Sequence, residues 1–213
     1  MVEKETKASP APPRAAAHPR HMMLISEHPA QWRRVVRAFL REGLSRGESC
    51  LCLNCLYSRP SVCRFLDAVG MNADAAQRQG LLTFFSAEEM FNRQEIFSPV
   101  TCMAALIKVG RNALPNRTRP VRVVVDMNWA ADSRLNHQRL LLYEDMLNHR
   151  LLPNYPANVL CHYDRALFPP AFLNQVLALH QGQVAIPGPV GAGSGLPLPL
   201  DKGNRHQPRL AAL

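Results

Sequence analysis

From about residue 20 the chain alternates short apolar runs with stretches in which apolar positions recur every three or four residues. The runs suit strands buried on both faces, and the recurrences suit one face of a helix. MMLI (22–25) predicts a first strand. In the helix after it, Trp32, Val35, Val36, Phe39 and Leu40 fall on one stripe, and Gly43 with Leu44 is expected to end it. SCLCLNC (49–55) predicts a second strand and SRPSVCRFLDAVG a helix closed by Gly70. LLTFF (81–85) reads as a strand, SPVTCMAALIKVGRNAL (98–114) as a helix with Pro99 in its first turn, and Val121–Val125 as the strongest strand. A helix over 135–148, a strand over 157–164 and a helix over 169–180 complete the pattern, with QVAI (183–186) as a last short strand. Continuous apolar strands separated by helices imply an α/β three-layer sandwich with a mostly parallel central sheet.

Ligands of such a sheet bind beyond the carboxyl ends of its strands. That rule selects Ser26, Glu27 and His28 after the first strand, and residues 54–57 after the second. It also selects Asp126, Asn128 and Trp129 after the Val-rich strand, and Tyr163 and Asp164 after the next. Val121–Val125 and Val159–Cys161 are expected to be interior neighbours, so that Asp126, Trp129, Tyr163 and Asp164 converge on one cleft. Trp129 reads equally as a core plug and as a ligand platform.

The outer segments lack apolar periodicity. Residues 1–19 are rich in Ala and Pro, and 187–213 in Pro and Gly, so both are expected to be disordered tails around a folded body at 20–186. Residues 1–20 and 187–213 carry +2 each, so the net charge of +9 falls to +5 over residues 21–186. The body charge forms no basic stripe, so direct nucleic-acid binding is not expected. No run of 18 apolar residues occurs and no signal peptide opens the chain, which predicts a cytoplasmic protein without a membrane span. The six cysteines then read as reduced thiols. Cys52 and Cys55 have metal-pair spacing, but no second pair follows, and Cys50 and Cys52 share a strand face as small hydrophobes. No metal and no cofactor are assigned.

VRVVVDMNW has the apolar-then-Asp form of a strand whose carboxylate helps hold a magnesium–nucleotide complex. The phosphate loop that would complete such a site needs glycines and a lysine, whereas SEHPAQW has neither between the first strand and its helix. Nucleotide hydrolysis is therefore not expected. GxSxG, HExxH and GxGxxG are all missing. Cys161 and His162 are adjacent on a strand and face opposite ways, so they cannot pair as nucleophile and base. The reading is of a protein that is not an enzyme. On the helix at 135–148, His137, Leu141, Glu144 and Asn148 share a stripe beside Tyr143 and Leu147. Either this is a core boundary with Asn148 capping the helix, or Glu144 and Asn148 are partly buried and hydrogen-bonded. His180 reads as a partner of its own helix's carboxyl end.

HMMLIS (21–26), FLREGLSRGESCLCL (39–53), RVVVDMNWA (122–130), YEDMLN (143–148), LCHYD (160–164) and VLALHQGQV (176–184) together resemble the MEDS domain, the sensory domain named from the methylotroph regulator DcmR. FLREGLSRGESCLCL also resembles the KaiC branch of RecA-type ATPases. The resemblance implies a RecA/KaiC-like fold without a functional P-loop. It implies sensing of a small organic molecule, a simple hydrocarbon derivative, with output to a regulatory protein partner in transcription or kinase signalling. The residues carried over are His21, Glu48, Asp126, Trp129, Tyr143, Glu144, Asn148, Cys161, Tyr163, Asp164 and His180; all but Glu48 are assigned to ligand binding. No helix-turn-helix segment accompanies the match, so a protein partner is expected instead of direct operator contact. Two alternatives stay open: a docking module, as a homo-oligomer like the ATPase relatives, and an enzyme using the same cleft.

Overall fold

A computed structural model describes residues 20–53, 59–85, 98–113, 119–131 and 137–185. The expected tails, residues 54–57 with Cys55, and Ile186 lie outside the described residues. Elements follow the order β1 (His21–Ser26), α1 (Pro29–Ser45), β2 (Ser49–Leu53), α2 (Arg59–Asp67), α3 (Ala73–Arg78), β3 (Leu82–Phe85) and α4 (Pro99–Ala113). There follow β4 (Val121–Asp126), a 3₁₀ turn (Asn128–Ala131), α5 (His137–Met146), a π turn (Leu147–Leu151), β5 (Ala157–Asp164), α6 (Pro170–Leu179) and β6 (Gly182–Gln183). The six strands form one sheet in the order β3-β2-β4-β5-β1-β6, and every pairing is parallel.

Strand alternation divides the core in two. Leu24, Cys50, Cys52, Val124 and Leu160 pack under α1, α2 and α3. Met23, Leu51, Leu53, Val123, Val125 and Val159 pack under α4, α5 and α6. The stripe of Trp32, Val35, Val36, Phe39 and Leu40 is buried as its spacing requires. Burying a large side chain from such a stripe stabilises the fold by about 1.5–3 kcal/mol.

One local expectation is corrected, and one element is new. α1 runs past Gly43 to Ser45, and its stop is a Schellman motif centred on Gly47 at φ +69°. The Glu48 amide donates to the Gly43 carbonyl, and the Gly47 amide to that of Leu44. Gly43 instead admits close packing: a β-carbon there would lie 2.6 Å from Arg122 Cδ and 2.9 Å from Cys50 Sγ. The new element is α3, whose six residues are too short for a visible apolar period. Asn72 caps it by accepting the Ala75 amide.

Candidate functional site

β5 carries chemistry on both of its faces. Cys161 and Tyr163 point to the α5–α6 layer, and His162 points to the α1 layer. On the α5–α6 side, the π turn lets Asn148 reach two elements at once. Its Nδ2 donates to the Leu179 carbonyl at 2.6 Å, which leaves its Oδ1 as acceptor 2.9 Å from His21 Nδ1. His21 Nδ1 therefore carries the proton, and its Nε2 lies 3.1 Å from Glu144 Oε2. Glu144 Oε1 accepts the Tyr163 hydroxyl. Cys161 Sγ lies 3.6 Å from both His21 Nε2 and Glu144 Oε2.

His180 completes this cluster. Its Nδ1 donates to the Val176 carbonyl at 2.8 Å, the helix-end contact expected from sequence. Its ring also stacks 4.0 Å from His21, and its Nε2 stands 3.7 Å from Glu144 Oε2. The side chains of His21, Glu144 and His180 are fully buried, as are Cys161 and Tyr163.

Burial alone would raise the Glu144 pKa, but the His21 hydrogen bond, the two imidazoles and the Tyr163 hydroxyl together hold it below the usual carboxylate value. Burial lowers the His180 pKa, against the pull of Glu144. Burial and the Glu144 charge push the Cys161 thiol and the Tyr163 phenol well up. Tyr143 is buried in the same core layer, and burial raises its phenol too.

The opposite face holds a linear chain. Ser26 Oγ lies 2.7 Å from His162 Nε2, and His162 Nδ1 lies 3.4 Å from Asp126 Oδ1. Asn128 Nδ2 approaches the same Nδ1 at 3.5 Å. The order Ser–His–Asp resembles a hydrolytic triad, but Ser26 is 2% exposed and His162 packs edge-on to the buried Trp32. Ser26 sits where a solvent-borne substrate has no approach. Asp126 Oδ1 also accepts the Asn128 amide, while its buried Oδ2 makes no hydrogen bond among the described residues.

The expected cleft of Asp126, Trp129, Tyr163 and Asp164 is therefore divided. β4 and β5 are neighbours as expected, but alternation sends Asp126 and Tyr163 to opposite faces. Trp129 sits half-buried in the 3₁₀ turn against the α4–α6 core. Asp164 organises a turn, accepting the Ala166 amide at 2.9 Å. The stripe on α5 also divides: Glu144 and Asn148 join the cluster, while His137 stacks on Phe172 at 4.2 Å. The family resemblance names the cluster members but not their convergence, and nothing in the sequence pairs Ser26 with His162. A depression of about 360 Å³ opens beside the end of β1, lined by Ile25, Glu27, Gln31, Arg165, Gln183 and Val184 among others. Of these, only Glu27 was singled out by the sheet-end rule.

Only Glu27 and His28 separate β1 from α1. His28 and Gln31 form a reciprocal capping box at the start of that helix. No described helix is long and apolar enough to cross a membrane.

The family model described as MEDS, the methanogen/methylotroph DcmR sensory domain, matches residues 20–181. Among solved structures, the fold is similar to that of a KaiC-like protein from the hyperthermophilic archaeon Pyrococcus horikoshii OT3. The TM-score is 0.56 at 10% identity, over 78% of this chain and 71% of that one. No curated protein matches the sequence.

Proposed function

We propose, from the premise that this chain belongs to the MEDS sensory-domain family, that it senses a small organic ligand without catalysis and signals to a regulatory protein partner. The two-residue connection between β1 and α1 carries this reading. In nucleotide-binding relatives of such folds, a glycine-rich loop there wraps the phosphates and presents a helix N-terminus to them. Here Gln31 Oε1 accepts the Glu27 and His28 amides of the connection itself, and no lysine or glycine stands in it. The buried Ser26–His162–Asp126 chain supports a structural use of the sheet end. The depression beside β1 has the size of a small-molecule site and lies where open α/β sheets admit ligands. A short alcohol, aldehyde or halocarbon suits its mixed lining. We place the protein in the cytoplasm, and the exposed Val100, Leu142 and Leu167 offer apolar contacts for a partner.

The test has two arms. Calorimetric titration with Mg-ATP is expected to give no binding in the micromolar range. A thermal-shift screen of short alcohols, aldehydes and halocarbons is expected to find a compound that raises the unfolding midpoint. A micromolar Mg-ATP isotherm, or turnover of a compound that binds, would overturn the reading.

A further inference from the structure

We infer that His21, Glu144, Cys161 and His180 form a binding site for one divalent transition-metal ion of the zinc type. The four donor atoms lie within 4.8 Å of one another. In a tetrahedral zinc site, bonds of about 2.0 Å to nitrogen or oxygen and 2.3 Å to sulfur put donor pairs about 3.3 Å and 3.5 Å apart. The observed contacts are 3.1 and 3.7 Å from Glu144 Oε2 to the two imidazoles, and 3.6 Å from Cys161 Sγ to both His21 Nε2 and Glu144 Oε2. His180 has to move inward by roughly an ångström to close the tetrahedron.

Outer partners aim each donor inward. Asn148 Oδ1 accepts the His21 Nδ1 proton and the Val176 carbonyl accepts that of His180, so both Nε2 atoms face the centre, where a metal can replace any proton they hold. Tyr163 occupies Glu144 Oε1 and leaves Oε2 for the centre. His180 Nε2, fully buried, makes no hydrogen bond among the described residues. Hydrogen bonds of this kind fix tautomer and orientation in metal-binding histidines.

Charge points the same way. No lysine or arginine appears among the described partners of Glu144, so its charge is left to a proton or a cation at the centre. One thiolate, one carboxylate and two neutral imidazoles sum to −2, and a divalent ion makes the buried cluster neutral. Binding displaces the Cys161 thiol proton to solvent, together with any imidazolium proton, and involves no change of oxidation state. Sulfur with two imidazoles selects a zinc-type ion over magnesium or calcium. Four protein donors make a closed site that would clamp β1, β5, α5 and the end of α6 together.

The experiment strips the full chain with a chelator and titrates it with Zn²⁺ and, as a spectroscopic probe, Co²⁺. One ion per chain is expected, with a cysteine-to-cobalt charge-transfer band and the strong visible bands of a tetrahedral site. Saturating Zn²⁺, at a hundredfold excess over Kd, should raise the unfolding midpoint by roughly 5–10 °C. Cys161→Ser should remove the charge-transfer band, and His180→Gln should weaken binding at least tenfold. If either variant fails to fold, the unsubstituted protein still decides through its stoichiometry and cobalt spectrum. Failure to bind near one equivalent, no sulfur-to-cobalt band, or a band that survives Cys161→Ser overturns the site.

Discussion

Glu48 and Glu144 are both buried carboxylates, 7% and 0% exposed, and the protein answers their charges in different ways. Glu48 has a permanent cation: Arg122 Nε lies 2.5 Å from its Oε2, and Arg122 Nη1 reaches Glu42 at 3.0 Å and the Phe39 carbonyl at 3.3 Å. Burial works against the guanidinium charge, but Glu48 and Glu42 outweigh it and hold the Arg122 pKa above its ordinary value. The Arg122 carbon also lies 4.8 Å over the Phe39 ring, and Gly43 leaves room for its side chain to pass. Among the described residues, Glu144 meets two imidazoles, a thiol and a phenol, none of them permanently charged. A carboxylate with a fixed cation belongs to the scaffold. One whose partners can exchange protons for an ion belongs to a site.

Arg122→Met should produce the largest effect, because it strands Glu48 in the core without its cation. Denaturant unfolding is expected to show a loss of about 3–5 kcal/mol. Glu144→Gln in chelator-treated protein should cost less, about 1–2 kcal/mol, since the amide can still accept the Tyr163 hydroxyl and no fixed cation is left behind. Equal losses in the two variants would erase the distinction between scaffold and site.

The smallest effect is the dependence of stability on pH in the metal-free protein. The folded-state pKa values of His180 and Glu144 both lie below their ordinary 6.5 and 4.5, so the native state binds fewer protons than the unfolded chain. The His180 contribution is fully present above pH 6.5 and is lost as pH falls through its folded pKa. The Glu144 contribution follows the same sign below pH 4.5. Unfolding midpoints should therefore fall in two stages on acidification, and His180→Gln should flatten the upper one. Arg122→Met should leave that upper stage intact, because Arg122 stays charged throughout. An upper stage that His180→Gln leaves unchanged would assign it to another group.

Much of the architecture was legible because it depends on local periodicity. The apolar run over 157–164 predicts the strand that β5 forms, and the stripe from Trp32 to Leu40 predicts the buried face of α1. Alternation correctly opposed Cys161 to His162, since neighbouring strand residues always diverge. The family resemblance assigns ten residues to ligand binding; the fold brings His21, Glu144, Asn148, Cys161, Tyr163 and His180 together and places Asp126, Trp129 and Asp164 apart from them.

The sequence alone determined the parallel sheet, the strand faces and the lack of glycine and lysine between the first strand and its helix, because each follows from residues close together in the chain. Tertiary structure alone decided that Tyr163 meets Glu144 while Asp126 meets His162, and that positions 21, 144, 161 and 180 share a centre. Those donors are spaced 123, 17 and 19 residues apart, so no metal-ligand motif of short spacing could reveal them. Periodicity shows which face a side chain takes. Only strand order, helix placement and the π turn at Asn148 fix which faces meet, because they set the distances across the core.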